Sequence, residues 1–285
     1  MTPMSDAQPI ITLLTDFGDH DGYVGVMKGV ILSITPDARL VDITHQIAPQ
    51  DIHEAAVVLS SAYPYFPPHT VHLVVVDPGV GSTRRPIAVE TPRGRFVAPD
   101  NGVLSYVLLA EPSFSAVALE DPRYHRPNPS HTFHGRDIFS PVAAHLARGV
   151  GLAELGPRLD DLVRLPLPAL TITPQRIEGE VVRIDRFGNA RTNIMRLEWD
   201  DPETLTLRPL AAGQGPLTFQ ANRAQITFSW HRLEGIKQTY SAVGVGQPLA
   251  LVGSSGELEI AVNQGSASSA LAIKPGDPVT VQINP

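Results

Sequence analysis

The chain has no cysteine, which removes disulfides, iron–sulfur clusters, thiolate zinc sites and thiol catalysis from consideration. It has no stretch approaching the roughly 18 apolar residues of a membrane-spanning helix. Residues 1–9 carry no basic segment followed by an apolar one, so a secretory leader is not expected. Positive charge is scarce as well: 22 Lys+Arg stand against 29 Asp+Glu, a net charge of −7, which offers no basic field to a polyanion. These absences predict a cytoplasmic protein with neither nucleic-acid nor membrane partners. Its 285 residues, 42% hydrophobic and 18% charged, suit a globular chain long enough to bury a core without disulfide staples.

Glycine and proline, by contrast, are plentiful at 23 and 27, proline at about twice its usual share. They fall between apolar segments and so mark loops. Ile10–Leu14 reads as a buried strand and Tyr23–Ile34 as a helix with apolar positions at helical spacing, closed by Pro36. Leu40–Ile43 is a second strand, and Asp51 with Glu54 forms a capping pair for a helix over Ile52–Tyr63, stopped before Pro64. Thr70–Val76 is a largely β-branched run, typical of a strand covered on both faces. Strand, helix, strand, helix, strand predicts a parallel α/β sheet. A hairpin over Ile87–Glu90 and Arg95–Ala98 extends it, with further helices at Val103–Ala110 and Ile138–Arg148.

Around Leu165-Pro166-Leu167-Pro168 the pattern changes to short alternating strands: Glu178–Ile184, Arg191–Ile194, Gln225–Trp230, Pro248–Val252, Glu257–Val262 and Pro278–Ile283. That spacing predicts a small β-barrel or sandwich. The predicted architecture is an N-terminal α/β/α domain over residues 1–165 with a mostly parallel central sheet, a linker over 166–175, and a smaller all-β, barrel-like domain over 176–285.

Four polar clusters stand at or near the strand ends where such folds bind ligands. Asp16 to Asp21 puts three carboxylates and His20 within six residues. A divalent metal is one reading; helix capping or ribose binding is the favoured one, because no second cluster has metal-ligand spacing. The run Asp77-Pro78-Gly79-Val80-Gly81-Ser82-Thr83-Arg84-Arg85 lacks the G-x-x-x-x-G-K-[ST] pattern of a triphosphate loop. It places Asp77 at the end of an apolar strand, where burial perturbs a carboxylate, whereas Arg85 reads as a solvated charge. Phe133-His134-Gly135-Arg136-Asp137 precedes a helix, with Gly135 small enough to let a ligand approach; nine other histidines compete with His134. Asp185-Arg186-Phe187-Gly188-Asn189 by itself reads as a β-turn.

Taken together, these clusters resemble the S-adenosyl-L-methionine (SAM) hydroxide adenosyltransferase family, the SAM hydrolases, relatives of the fluorinases and chlorinases. The resemblance runs in order through Leu14-Thr15-Asp16-Phe17-Gly18, Val76-Asp77-Pro78-Gly79-Val80-Gly81, Ala98-Pro99-Asp100-Asn101-Gly102, Phe133-His134-Gly135-Arg136-Asp137, Asp185-Arg186-Phe187-Gly188-Asn189 and Gly253-Ser254-Ser255-Gly256. It implies a water-activating trio of Asp77, Arg84 and His134, choosing Arg84 over Arg85. It implies that Asp16 holds the ribose hydroxyls, that Asn189 and backbone near Asn263 meet the adenine, and that Tyr240 lies against the base. Asp21, Asp185 and Ser254 would hold the methionine amino and carboxylate groups, with Asn101 counted among the substrate-binding residues. SAM is then the substrate, adenosine a product, and no cofactor or metal is expected. The resemblance also implies a homotrimer whose sites lie between the α/β domain of one subunit and the β domain of the next.

The implied reaction fits these residues. Water or hydroxide attacks ribose C5′ and the leaving group is a neutral thioether, so no acid or metal is needed there; the demanding step is activating the water. Halogenating relatives carry a serine in place of Gly135 and residues other than Asp and Arg in the DPGVG-type loop, and a carboxylate at Asp77 would repel a halide. They also carry an arginine in place of Ser255, so here Ser254, Ser255 and backbone N–H groups are left to hold the substrate carboxylate. Two alternatives remain open: an adenosine- or SAM-binding module without turnover, and a metal-dependent hydrolase built on Asp16, Asp19, His20 and Asp21.

Overall fold

The computed structural model describes residues 8–166, 168–209 and 215–283. Most of the segment read for a leader, and Leu167 at the expected boundary, lie outside the described residues. The chain divides into two compact units, Met1–Leu165 and Pro166–Pro285.

The first unit runs β1 (Ile10–Thr15), α1 (Tyr23–Ile34), β2 (Arg39–Thr44), α2 (Ile52–Ala62), β3 (Val71–Val75), β4 (Pro86–Thr91), β5 (Gly94–Pro99), α3 (Ser105–Ala110), β6 (Ser115–Ala118) and α4 (Ser140–Ala147). The strands form one sheet in the order β2-β1-β3-β5-β4-β6. Pairs β1–β2, β1–β3 and β3–β5 are parallel, while the hairpin makes β4–β5 and β4–β6 antiparallel. Alternation along β3 explains its apolar run: Val71, Leu73 and Val75 pack with Met27, Ile31 and Phe139 on one face, and Val74 with Leu59, Val107 and Leu108 on the other. The α/β/α layering is as expected.

Local signals set the helix ends. Asp51 Oδ1 accepts from Glu54 N at 2.8 Å, while Glu54 Oε2 accepts from Ala48 N at 2.9 Å, a cap that reaches three residues beyond Asp51. Thr35 Oγ1 donates to Ala144 O at 3.0 Å and pins the end of α1 to α4. Two helices depart from what their apolar spacing predicts. The one read from Val103 starts at Ser105, and the one read from Ile138 is a π-helical turn over Gly135–Phe139 followed by α4 from Ser140.

The second unit opens with β7 (Thr171–Thr173), β8 (Arg176–Ile184) and β9 (Ala190–Thr192), so the stretch read as a linker carries a strand. Next come β10 (Leu197–Trp199), β11 (Thr204–Leu207) and β12 (Leu217–Gln220), a separate three-stranded sheet. The chain continues through β13 (Gln225–Phe228), β14 (His231–Glu234), β15 (Ile236–Lys237), β16 (Pro248–Val252), β17 (Leu258–Val262), a short helix α5 (Ala267–Leu271) and β18 (Pro278–Gln282). Nine strands form the larger, barrel-like sheet, ordered β14-β13-β18-β8-β9-β17-β16-β15 with β7 on β8. Its interior is filled by Ile177, Val181, Ile226, Phe228, Ile260 and Val279 among others.

One feature of the first sheet positions the chemistry. Thr15 at the end of β1 pairs with Val75 at the end of parallel β3. The loops that begin at Asp16 and Asp77 therefore leave the same edge side by side, beyond the carboxyl ends of the strands.

Candidate active site

After β3, two consecutive turns coil the chain: Val80 N donates to Asp77 O at 3.2 Å, and Ser82 N donates to Gly79 O at 3.1 Å. Ser82 Oγ also donates to Gly79 O and accepts from Arg84 N, at 2.6 and 3.2 Å. Gly81 has φ +76°, and a Cβ there would lie 2.5 Å from His131 O, so only glycine lets this loop press on the segment that leads to His134. The coil returns Arg84 to Asp77. Arg84 Nε donates to both carboxylate oxygens at 2.9 and 3.0 Å, and Nη2 bonds Oδ2 as well. The same Nη2 lies 2.7 Å from His134 Nδ1. The side chains of Asp77 and Arg84 are 5% and 9% exposed, and the guanidinium stacks on the Phe139 ring, 5.2 Å from its centroid.

Asp77, Arg84 and His134 are thus brought into one cluster, with Arg84 as the bridge. A guanidinium only donates, so His134 Nδ1 accepts, and the neutral imidazole carries its proton on Nε2. Burial lowers the His134 pKa; the charge of Arg84 lowers it further, and Asp77 offsets part of this. Arg85, next in sequence, bonds elsewhere, to Asp100 Oδ2 at 2.9 and 2.5 Å and to Asp161 Oδ1 at 2.9 Å. It is an anchored charge instead of the solvated one expected.

His134 enters the π-helical turn, a distortion that recurs at functional sites. Asp137, buried inside that turn, accepts from Arg136 Nε and Nη2 at 2.7 and 2.8 Å and from Ser130 N at 2.8 Å. Gly135, expected to leave room for a ligand, is buried, and a Cβ there would meet Met27 Sδ and Phe133 Cε2, each at 3.2 Å. Phe133 also packs edge-on against Phe17 and Tyr23, at 6.0 and 5.2 Å between centroids. That aromatic wall connects the loops after β1 and before α4, and sequence reading missed it because its members are far apart in the chain.

In the loop after β1, Asp16 Oδ2 accepts from Gln50 N at 2.8 Å, Asp19 Oδ2 from Gln46 Nε2 at 2.5 Å, and exposed Asp21 lies 3.7 Å from His20 Nδ1. The carboxylates diverge, and among the described residues no group of three His, Cys, Asp or Glu side chains could hold a metal. Asn101 ties the site's backbone together, donating to Val76 O at 2.9 Å and accepting from Val103 N at 3.2 Å.

The second unit gathers the other expected residues around β9 and β17. Asp185 Oδ1 accepts from Phe187 N and Asn189 N at 2.8 and 2.9 Å, and Oδ2 accepts from Asn189 Nδ2 at 3.2 Å, so Asp185 shapes the turn that orients Asn189. Gly188, at φ +86°, leaves room for Ser266 Oγ only 2.1 Å from where a Cβ would stand. Phe187, Asn189, Tyr240, Val262, Gln264 and Gly265 line a cleft of about 480 Å³. Asn263 does not line it: its amide donates to Val243 O at 2.8 Å, and its backbone N and O bond Gln247 O and Gly246 N. Its neighbours Gln264 and Gly265 supply that edge instead. Tyr240 OH donates to Glu259 Oε1 at 2.7 Å; burial, then this bond, raises the phenol's pKa, and burial raises that of Glu259. Ser254 is exposed, and Ser255 Oγ accepts from Arg191 Nη2 at 3.1 Å.

Comparison with known proteins gives the same assignment for both units. A family model described as the SAM hydroxide adenosyltransferase N-terminal domain matches residues 11–156, and its C-terminal counterpart matches residues 179–280. A curated (R)-S-adenosyl-L-methionine hydrolase of Thermus thermophilus is 41% identical over 281 residues, 94% of this chain and 98% of the relative. A fluorinase of Nocardia brasiliensis is 29% identical over 99% of this chain and all of its own length. A crystal structure of an uncharacterized conserved protein from Thermotoga maritima superposes with a TM-score of 0.82 at 37% identity, covering 95% of this chain and 99% of that one. With both domain models matched in order over most of its length, the chain belongs to the SAM hydroxide adenosyltransferase family.

Proposed function

We propose that the protein hydrolyses S-adenosyl-L-methionine to adenosine and L-methionine by in-line attack of water on ribose C5′. The observation that carries this reading is the bridge from Asp77 through Arg84 to His134. In this scheme His134 Nε2–H donates to the attacking oxygen while Asp77 takes its proton. Arg84 holds both groups and favours developing hydroxide electrostatically. The C5′–O bond forms as the C5′–S bond breaks, the bonding pair leaves on sulfur, and the thioether departs neutral. Hydroxide and sulfonium cancel each other's charge as they react, and the apolar wall of Phe17, Tyr23 and Phe133 suits that loss of charge.

Substrate binding completes the scheme. Asp16 receives the ribose hydroxyls. The cleft between exposed Phe187 and Tyr240 receives adenine, with Asn189 and the edge at Gln264 as polar contacts. Asp21, Asp185, Ser254 and Ser255 serve the amino-acid end, and Asn101 and Asn263 support the loops they brace. Following the names of its relatives, the substrate is the R sulfonium epimer. The family resemblance supports a homotrimer with sites between subunits, for which light scattering should return three times the 30.7 kDa chain mass.

The test is incubation with SAM racemised at sulfur in heavy-oxygen water. Label should enter the adenosine 5′-hydroxyl, and consumption should stop when the R epimer is exhausted. Unlabelled adenosine, or no product near neutral pH, would overturn the reading.

A further inference from the structure

An amino acid bound as a zwitterion needs a cation for its carboxylate, and Ser254 and Ser255 bring none. The neighbouring strand does. Arg191 on β9 stands directly across from Glu259 on β17. Its Nε donates to Glu257 Oε1 at 2.5 Å, its Nη2 pairs with the same oxygen, and Nη2 also donates to Ser255 Oγ at 3.1 Å. Nη1 has no acceptor among the described residues, which leaves its hydrogens for a ligand. The Arg191 side chain is 19% exposed, whereas that of its partner Glu257 is 3% exposed, so the arginine is the member of the pair that meets solvent.

The serine loop and this ion pair are one assembly. A Cβ on Gly253 would lie 2.6 Å from Glu257 Oε1 and 3.1 Å from Glu259 Oε2, so the loop backbone rests directly on the two carboxylates. Glu259 in turn holds Tyr240, which lines the cleft proposed for adenine. The path from base to guanidinium is therefore continuous through Tyr240, Glu259 and the β9–β17 pair. A buried ion pair contributes little net stability compared with apolar residues of similar volume. The unpartnered Glu257 Oε2 makes this one costlier still. The free Nη1 hydrogens beside the loop give the arrangement a use that stability does not.

We propose that Arg191 binds the α-carboxylate of the substrate's amino-acid portion, with Glu257 fixing the guanidinium and Ser255 completing the contact. This rests on the reading of the ligand as an adenosyl amino acid. The two Nη1 hydrogens, held in plane by the bonds of Nε and Nη2, and the Ser255 hydroxyl, whose oxygen accepts from Nη2 and whose hydrogen can donate, form a donor set that lysine cannot reproduce.

Calorimetry with two stable thioethers tests it without turnover: S-adenosyl-L-homocysteine, which carries the amino acid, and 5′-methylthioadenosine, which does not. The wild type should prefer the first by tenfold or more. Arg191→Gln should abolish that preference while leaving affinity for 5′-methylthioadenosine unchanged, and Arg191→Lys should restore only part of it. Because Arg191→Gln strands Glu257, the paired variant Arg191→Gln with Glu257→Gln serves as the folded control and should behave the same way. The proposal is overturned if the wild type shows no preference, if the paired variant keeps it, or if both ligands weaken alike. Failure of the hydrolase reading would appear separately, as SAM left intact by the wild type.

Discussion

His134 must be neutral for its cluster to hold together, because Arg84 Nη2 donates to its Nδ1 at 2.7 Å and a protonated ring has no lone pair there to accept. Protonation would also set two cations side by side. Burial and Arg84 keep the imidazole below its ordinary 6.5, so the neutral form needed for turnover persists on the acid side of that value. The acid limb of kcat should therefore be centred below pH 6.5; a limb centred at or above it would sink this account. His134→Gln preserves an acceptor for Arg84 but removes the titrating ring, and Asp77→Asn removes the base. Each should lower kcat by about 10² to 10⁴-fold, the usual share of acid–base catalysis, while adenosine binding measured by calorimetry survives. Turnover that persists in both variants would dissolve the trio.

The π-helical turn before α4 is the element that aims His134, and Asp137 is its internal fastening. One buried carboxylate there satisfies Arg136 and the backbone N–H of Ser130. Asp137→Ala should cost about 2 kcal/mol of stability, less than a fully buried pair would, because Arg136 is a third exposed. It should also lower kcat by tenfold or more. A stability loss with kcat unchanged would show that the turn does not position the histidine. The sequence announces this element poorly, since apolar spacing from Ile138 runs through the change from π to α hydrogen bonding without a mark. Long periodic segments behave differently. The observed α1 coincides with its predicted range, and β3 is recognisable because both its faces are covered. In the second unit β10, β11, β12, β14 and β15, each of two to four residues, escape detection because one or two inward residues make no period. The meeting of Asp77 and His134 on Arg84 could be anticipated only through motifs carried over from relatives. That of Arg191 with the serine loop depends on the register of β9 against β17, which local sequence does not encode.

At the scale of the whole molecule, acid stability tests how the first unit's core is built. His72 sits at the centre of the sheet, fully buried, with Nδ1 bonded to Thr12 Oγ1 at 2.8 Å and its ring stacked on Phe96 at 5.0 Å. A Cβ on Gly94 would lie 3.2 Å from Nε2, so backbone closes over the other nitrogen, which has no partner. Burial lowers the pKa to about 4 from 6.5. The unfolded chain takes up a proton near 6.5 and the folded one resists until about 4, so stability is full above 6.5 and declines as the pH falls between those values. The loss attributable to this one ring is about 3 kcal/mol at most. His72→Asn can still bond Thr12 and does not titrate. It should be less stable than the wild type at pH 7.5, because it leaves a void among Tyr63, Phe66 and Phe96. Its urea midpoint should nevertheless fall less on acidification to pH 4.5 than the wild type's does. Equal losses in the two proteins would mean that carboxylates elsewhere, and not the ring at the centre of the sheet, set the acid limit of the fold.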